Sequence, residues 1–241
     1  MNRNILERVD IKVFEDSSEI IDNINLQRNN ISYFSFETQV SFTTLRRIYL
    51  TSNNLTEFQF ESLKDFPNLS IFDISFNPLG SIPVDSFQET SLLTISLSGT
   101  VNELAVGTFS NQSRLMWLWV TNNNLNHIPT ELFVTGSSRF DSIYLNDNGI
   151  VSVEPGAFDL NRGLTIYMGN NSLTVIEESV WRYPFEAGVE LSLYDDNPLE
   201  CGCDVAWIVN DPALKLQISE YTVCADETPF KDLIPESFID C

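Results

Sequence analysis

Apolar residues return along the chain in blocks about two dozen positions apart, each block with the same internal spacing. In "LRRIYLTSNNL", residues 45–55, Leu45, Ile48, Leu50 and Leu55 are apolar and Asn53 stands among polar neighbours. The same slots hold Leu69, Phe72, Ile74 and Leu79 around Asn77, and Leu115, Leu118, Val120 and Leu125 around Asn123. The residues three and five before the Asn alternate with variable ones, the period of a strand buried on one face. Each block therefore predicts one short strand, followed by a bend at the Asn.

The Asn recurs at Asn29, Asn53, Asn77, Asn123, Asn148 and Asn171, and Thr100 fills the slot between Asn77 and Asn123. Spacings of 23 to 25 and the pattern L-x-x-L-x-L-x-x-N-x-L are those of a leucine-rich repeat. One coil cannot bury its own apolar edge, so neighbours stack and share a continuous core. The expected fold is a right-handed α/β solenoid, a horseshoe with a parallel concave sheet of about eight strands. A second aromatic column, Phe87, Phe109, Phe133, Phe158 and Trp181, reads as a spine filling the convex side, with Phe58 and Leu63 serving the Asn53 coil. Asn side chains at the bends are placed to satisfy backbone groups of adjacent coils that burial would leave unpaired.

Two frames depart from the pattern. "LLTISLSGTVNELAVGTF" has Thr100 for Asn and is one residue short before Leu104, and "VELSLYDDNPLECGC" has one residue too many between Leu193 and Asn197. If Asn4 belongs to the ladder, Leu6, Val9, Phe14 and Ile20 fall at repeat offsets, making residues 1–20 the second half of a repeat. The expected organisation is then a partial repeat at 1–20, leucine-rich repeats at 21–196 and a cysteine-rich cap at 197–241. "MNRNILERVDIK" contains no apolar signal region. A solenoid needs capped ends, so a signal and an N-terminal cap are expected to precede Met1.

The alternation assigns two rows of side chains to the concave face. Four before the Asn come Asn25, Tyr49, Asp73, Ser96, Trp119, Tyr144 and Tyr167; six before come Asn23, Arg47, Ile71, Thr94, Trp117, Ser142 and Thr165. Alignment on Leu191 and Leu193 adds Glu190, Ser192 and Tyr194. Trp119, Tyr144 and Tyr167 should form a ladder on neighbouring strands about 4.8 Å apart, with Trp117 beside it. Trp and Tyr dominate interface energetics, so Trp117, Trp119, Tyr144, Tyr167, Tyr49, Arg47 and Asp73 are the candidate binding residues. The competing reading is that the rings are cross-strand pairs steadying an open sheet, worth about 0.2 to 1 kcal/mol each.

All four cysteines lie at the end, at 201, 203, 224 and 241, which suggests a local disulfide knot and an oxidising compartment. A bond between Cys201 and Cys203 would close a severely strained ring, and the spacing leaves the other two pairings open. With Asn197-Pro198-Leu199, the C-x-C of Cys201 and Cys203, and Trp207 on a short helix, this tail resembles the C-terminal cysteine cap of extracellular leucine-rich-repeat proteins. That resemblance implies Cys201–Cys224 and Cys203–Cys241. "CDVAWIVNDPAL" and "CADETPFKDLIPESFIDC" further resemble secreted arthropod proteins classed with the non-catalytic subunit of oplophorus-luciferin 2-monooxygenase. The narrower resemblance implies a secreted, non-enzymatic partner protein.

The net charge of -21 argues against nucleic acid or an anionic membrane as a partner. No apolar run approaches the roughly 20 residues of a membrane span. Acidity is concentrated in residues 186–241, with 13 Asp or Glu against Lys215 and Lys231. The reading of that charge is a solvated acidic surface, with a cationic partner or calcium near the cap as the alternative.

The single histidine, His127, lies at a variable position and reads as a surface residue. There is no glycine-rich phosphate loop and no H-E-x-x-H, and the cysteines are better explained as disulfides than as zinc ligands. "NDNGIVSVE" faintly resembles a calcium loop, but the repeat already accounts for Asn148, Ile150 and Val153. The expectation is no catalytic residue, no metal and no cofactor. Asn-x-Ser/Thr sequons at Asn30, Asn54, Asn68, Asn111 and Asn170 mark candidate glycosylation sites, none on a concave strand position. The expected function is a secreted recognition or scaffold protein binding a protein, glycan or apolar partner on its concave aromatic face. Alternatives are a non-catalytic subunit stabilising an extracellular oxidase or luciferase-like catalytic subunit, and a structural component of an extracellular assembly.

Overall fold

The computed structural model describes residues 5–194 and 196–241. Asn4, the proposed first ladder residue, lies outside them. Twelve short strands occur among the described residues: β1 (Arg8–Asp10), β2 (Asn23–Asn25), β3 (Tyr33–Ser35), β4 (Arg47–Tyr49), β5 (Ile71–Asp73), β6 (Thr94–Ser96), β7 (Trp117–Trp119), β8 (His127–Ile128), β9 (Ser142–Tyr144), β10 (Ser152–Val153), β11 (Thr165–Tyr167) and β12 (Glu190–Ser192). Eight of them form one parallel sheet in the order β2-β4-β5-β6-β7-β9-β11-β12. Strands of successive coils pair without slip, so each position of the frame becomes a straight row across the sheet. β1 with β3, and β8 with β10, form two smaller parallel pairs.

The ladder Asn holds adjacent coils together. Buried Asn77 donates from Nδ2 to the carbonyls of Leu50 at 3.0 Å and Ile74 at 2.8 Å, and accepts at Oδ1 from the Leu55 N–H at 3.0 Å. Asn53 makes the corresponding bonds to Leu26, Leu50 and Ile31. Asn197, beyond the inserted residue, rejoins the ladder through Leu173 and Met168. Thr100 supplies only the donor half: its hydroxyl reaches the Ile74 carbonyl at 3.2 Å. The bend also shifts a donor: Val101, one position after the slot, donates its N–H to the next ladder residue, Asn123, where Leu55 and Ile150 donate from two positions after theirs.

The residue before each ladder position is left-handed in every coil. Arg28, Ser52, Phe76, Gly99, Asn122, Asp147 and Asn170 have φ between +51° and +60°. One is glycine and three are Asn or Asp, which tolerate this region, so the backbone cost of about 1 kcal/mol or more falls on Arg28, Ser52 and Phe76. The return is hydrogen bonding past the strand's end: the N–H groups of Ser52, Phe76 and Asn122 donate to the carbonyls of Ser75, Ser98 and Asn146 on the next coil.

The convex spine runs through Phe87, Phe109, Phe133, Phe158 and Trp181, with ring centroids 5.7 to 6.0 Å apart. In the Asn53 coil the expected Leu63 is buried at this slot, and Phe60, 5.6 Å from Phe87, supplies the ring in place of the expected Phe58. Phe58 instead lies half-buried on the flank against Phe36, while the 3-10 turn at Phe60–Asp65 turns Phe60 and Leu63 together into the core. The spine also continues beyond expectation through Phe185 to Trp207 in the tail. Near the N-terminus, Val9 is buried and Phe14 half-buried, but Leu6 and Ile20 are exposed and Ile11 occupies the core. The 3-10 turn at Ile11–Ser17 moves the buried register there as well.

The C-terminal end is closed by backbone. After β11 the chain forms α1 (Glu178–Glu186), and the tail adds α2 (Ala206–Val209) and α3 (Pro212–Lys215). Residues 217–219 then pair with the free edge of β12: the Leu191 N–H donates to Gln217 O, and the Ser219 N–H to Leu191 O, at 2.8 and 2.9 Å. Covering a sheet edge removes its tendency to pair with other chains. Cys201–Cys224 and Cys203–Cys241 are bonded, and no described cysteine is free. Gly169 is where this handover is tightest, since a Cβ there would stand 2.0 Å from the Tyr194 carbonyl oxygen.

Candidate functional site

The one-sided burial of each strand places two rows on the concave face. Leu118 is buried while Trp119 is 38% exposed, and the row containing Trp119 runs Asn25, Tyr49, Asp73, Ser96, Trp119, Tyr144, Tyr167 and Ser192. Trp119 and Tyr144 stack with centroids 3.6 Å apart and planes 8° from parallel; Tyr144 and Tyr167 follow at 4.7 Å and 3°. Strand spacing dictates this, because rings standing over neighbouring strands in register have no other place to go. Each pair contributes about 0.5 to 1.5 kcal/mol beyond its buried area.

Stacking also determines what the rings present. The three turn their faces to one another and offer edges and phenol oxygens to the concavity. The terminal faces lie on the Ser96 side of Trp119 and on the Ser192 side of Tyr167, where the row continues with serine. Burial, then neighbouring Tyr144 and the carboxylates of Glu190 and Asp141, push the Tyr167 phenol above its ordinary pKa. Tyr167 therefore acts as a neutral donor and acceptor at physiological pH.

Trp117 stands in the adjacent row between Thr94 and Ser142, and its indole N–H donates to Asp141 Oδ2 at 3.0 Å. The other three candidates lie apart. Tyr49 is three strands from Trp119, roughly 14 Å at the usual strand spacing. Arg47 pairs with Asp22 at 3.6 Å. Asp73 is occupied by the fold: it accepts from the Thr51 hydroxyl at 2.7 Å and the Ser75 N–H at 3.0 Å. The seven candidates thus form an aromatic group of four and a separate polar group of three.

Beyond Tyr167 a groove of about 960 Å³ lies between the last two strands and the tail. Its walls include Tyr167, Tyr194, Leu216, Ile218 and Tyr221. Tyr194 was legible from the frame. The opposite wall was not, since nothing in the repeat indicates that residues 212–221 fold back over the sheet; the one available signal was the apolar pair Leu216 and Ile218 outside any repeat slot.

His127 lies away from the concave rows, on the β8–β10 pair. Its Nδ1 is 2.7 Å from Ser152 Oγ and its Nε2 3.3 Å from Glu154 Oε1. The Thr130 N–H and hydroxyl, with His127 adding to them, hold Glu154 below its ordinary pKa. Among the described residues no group of three His, Cys, Asp or Glu is close enough to hold a metal ion, and no helix is long and apolar enough to cross a membrane. All five sequon asparagines are exposed. The side-chain nitrogen of Asn68 donates to the Thr43 carbonyl and that of Asn170 to Asp147.

Residues 3–116 and 80–184 match the model of the BspA type leucine-rich repeat region, in six copies. Over 240 residues the chain is 30% identical to a protein of Oplophorus gracilirostris described as the oplophorus-luciferin 2-monooxygenase non-catalytic subunit. That match covers 97% of this chain, which spans 65% of the relative's length. Among solved structures, a chain of the octameric complex of Latrophilin 3, Unc5D and FLRT2 superposes with a TM-score of 0.66 at 22% identity, covering 90% of this chain and 76% of that one. A chain of the TLR13–ssRNA13 complex superposes with a TM-score of 0.72 at 20% identity, covering 80% of this chain and 27% of that one. At such identities the two superpositions speak for the fold alone.

Proposed function

We propose, because the chain belongs to the leucine-rich-repeat family, that its function is non-enzymatic recognition, with the concave aromatic face holding a protein partner. The carrying observation is the Trp119–Tyr144–Tyr167 stack with Trp117 beside it, on the side of each strand the repeat core leaves free. Grouped Trp and Tyr are the residues that carry most binding energy in interfaces. Arg47, Tyr49 and Asp73 form a peripheral polar patch in this reading, with Asp73 held by its own strand ends. A glycan or an apolar ligand on the same face is the alternative occupant.

The test is capture of partners from native fluid on the immobilised chain, identified by mass spectrometry, followed by titration. Trp119→Ala and Tyr144→Ala should each weaken binding by about 2 kcal/mol or more. Unchanged affinity in both variants would remove the face from the account.

A second reading follows from the relative's description as a non-catalytic subunit. In it, this chain stabilises a catalytic chain of an extracellular oxidase or luciferase-like complex without taking part in chemistry. Co-purification of a catalytic chain from the native source supports it; an isolated monomer with no associated oxidase removes it. Both readings place the protein outside the cell, supported by two disulfides within 41 residues of the C-terminus. Asn30, Asn54 and Asn111 are the sequons most open to glycosylation, while Asn68 and Asn170 have their side chains engaged. Intact-mass measurement before and after glycosidase treatment checks this assignment.

A further inference from the structure

The aromatic row ends at Tyr167, one strand short of the sheet's edge. Trp119, Tyr144 and Tyr167 occupy consecutive strands, and on the next strand the same row position belongs to Ser192. Serine reaches no higher than the floor of the groove, so the outward face of Tyr167 carries no ring among the described residues. The space beside that face is the groove between β12 and the tail, walled on its far side by Leu216, 79% exposed, and Tyr221, 70% exposed. A group that enters there and stacks must be planar.

The charged residues of the same groove select among planar groups. Glu190 and Glu220 line it, and neither carboxylate has an ion-pair partner among the described residues. Lys215 is turned into the tail, where its ammonium donates to the carbonyls of Lys231 and Leu233 at 2.7 and 2.6 Å. Lys215 keeps its charge there and Lys231 is the second base of the lining, so the two carboxylates are formally balanced within the groove; the excess is in the surroundings, where residues 186–241 carry 13 acids and two bases and the chain a net charge of -21. That surrounding charge suits the groove to a cation. Arginine is the one protein side chain that is both planar and permanently cationic, and it stacks on aromatic faces.

We propose that this slot takes an arginine side chain of a partner polypeptide, its guanidinium forming the fourth layer of the stack on Tyr167 between the carboxylates of Glu190 and Glu220. At about 960 Å³ the groove exceeds a single side chain, so it also accommodates the residues flanking that arginine along Leu216, Ile218 and Tyr221. This inference rests on the concave-face reading and names the chemistry of its partner at one end.

The experiment titrates the full disulfide-bonded chain with three ten-residue peptides, identical except for a central arginine, lysine or citrulline. Lysine keeps the charge without the plane, and citrulline keeps the plane without the charge. The arginine peptide should bind at least fivefold more tightly than either. Tyr167→Ala should abolish its advantage over lysine, and Glu190→Gln should reduce its advantage over citrulline severalfold, with circular dichroism confirming that both variants are folded. Glu190 is exposed, so its variant remains informative even if Tyr167→Ala fails to fold. Equal binding of the arginine and lysine peptides, no binding of any peptide up to millimolar concentration, or selectivity unchanged by the substitutions overturns the proposal. Trp119→Ala lies at the opposite end of the stack and separates the two readings. If it weakens a captured native partner while Tyr167→Ala and Glu190→Gln do not, the face stands and the arginine slot falls.

Discussion

Asn77 and Trp119 occupy nearby slots of the same repeat, yet the fold needs them to different degrees. Asn77 satisfies an N–H and two carbonyls belonging to two coils. Asn77→Ala leaves those buried groups unpaired and should lower stability by about 3 kcal/mol, read as a shift in the urea midpoint. Trp119→Ala removes one stacking partner from an open face and should cost about 1 kcal/mol in the same experiment. A stability loss for Trp119→Ala as large as that of Asn77→Ala would mean that the stack is structural first. Gly169 gives a third prediction. Its Cβ position lies 2.0 Å from the Tyr194 carbonyl oxygen, so Gly169→Ala must displace backbone at the handover to the tail. A loss of about 2 kcal/mol or more is expected in thermal melts.

Among the elements, the convex spine shows how one buried aromatic per coil is converted into a continuous column. Phe109 is fully buried between Phe87 and Phe133. Phe109→Ala should cost about 3 to 5 kcal/mol, because stacked coils on both sides limit collapse into the cavity. The spine was largely legible from spacing, Leu63 included, and the error at Phe58 has a physical reason: residues three apart share one face of a 3-10 turn, so Phe60 is buried together with Leu63. The β8–β10 pair adds an acid-sensitive tie between coils. Glu154 is held below its ordinary value of 4.5 by the Thr130 N–H and hydroxyl, with His127 adding to them. The unfolded chain takes up that proton at higher pH than the folded one. The stabilisation is therefore complete above about pH 4.5 and fades as pH falls through the depressed value. Glu154→Gln should flatten this part of the acid limb in stability measured from pH 6 to pH 3, leaving the rest of the curve in place.

For the whole molecule, the tail is both an end stop and the far wall of the groove. Residues 217–219 cover the edge of β12, and the two disulfides close the tail around that segment, from Cys201 to Cys224 and from Cys203 to Cys241. Peptide mapping without reduction should recover Cys201 linked to Cys224 and Cys203 to Cys241. Breaking the bond across the 23-residue separation of the first pair should cost about 3 kcal/mol. Reduction should then release the tail, expose the β12 edge and promote association, which light scattering would register. It should also remove the arginine selectivity, since Leu216 and Tyr221 belong to the released wall. The sequence by itself determined the coil, its length, the Asn ladder and the two concave rows, because each is a local consequence of a strict period in which every residue has an assigned direction. Only the tertiary structure decided that Trp119, Tyr144 and Tyr167 lie face to face and that Arg47 and Asp73 are engaged by Asp22 and by Thr51 and Ser75, since ring orientation and side-chain partners depend on what each group packs against. The tail's return over Ser192 likewise depends on a segment with no period, whose position is set by what it packs against.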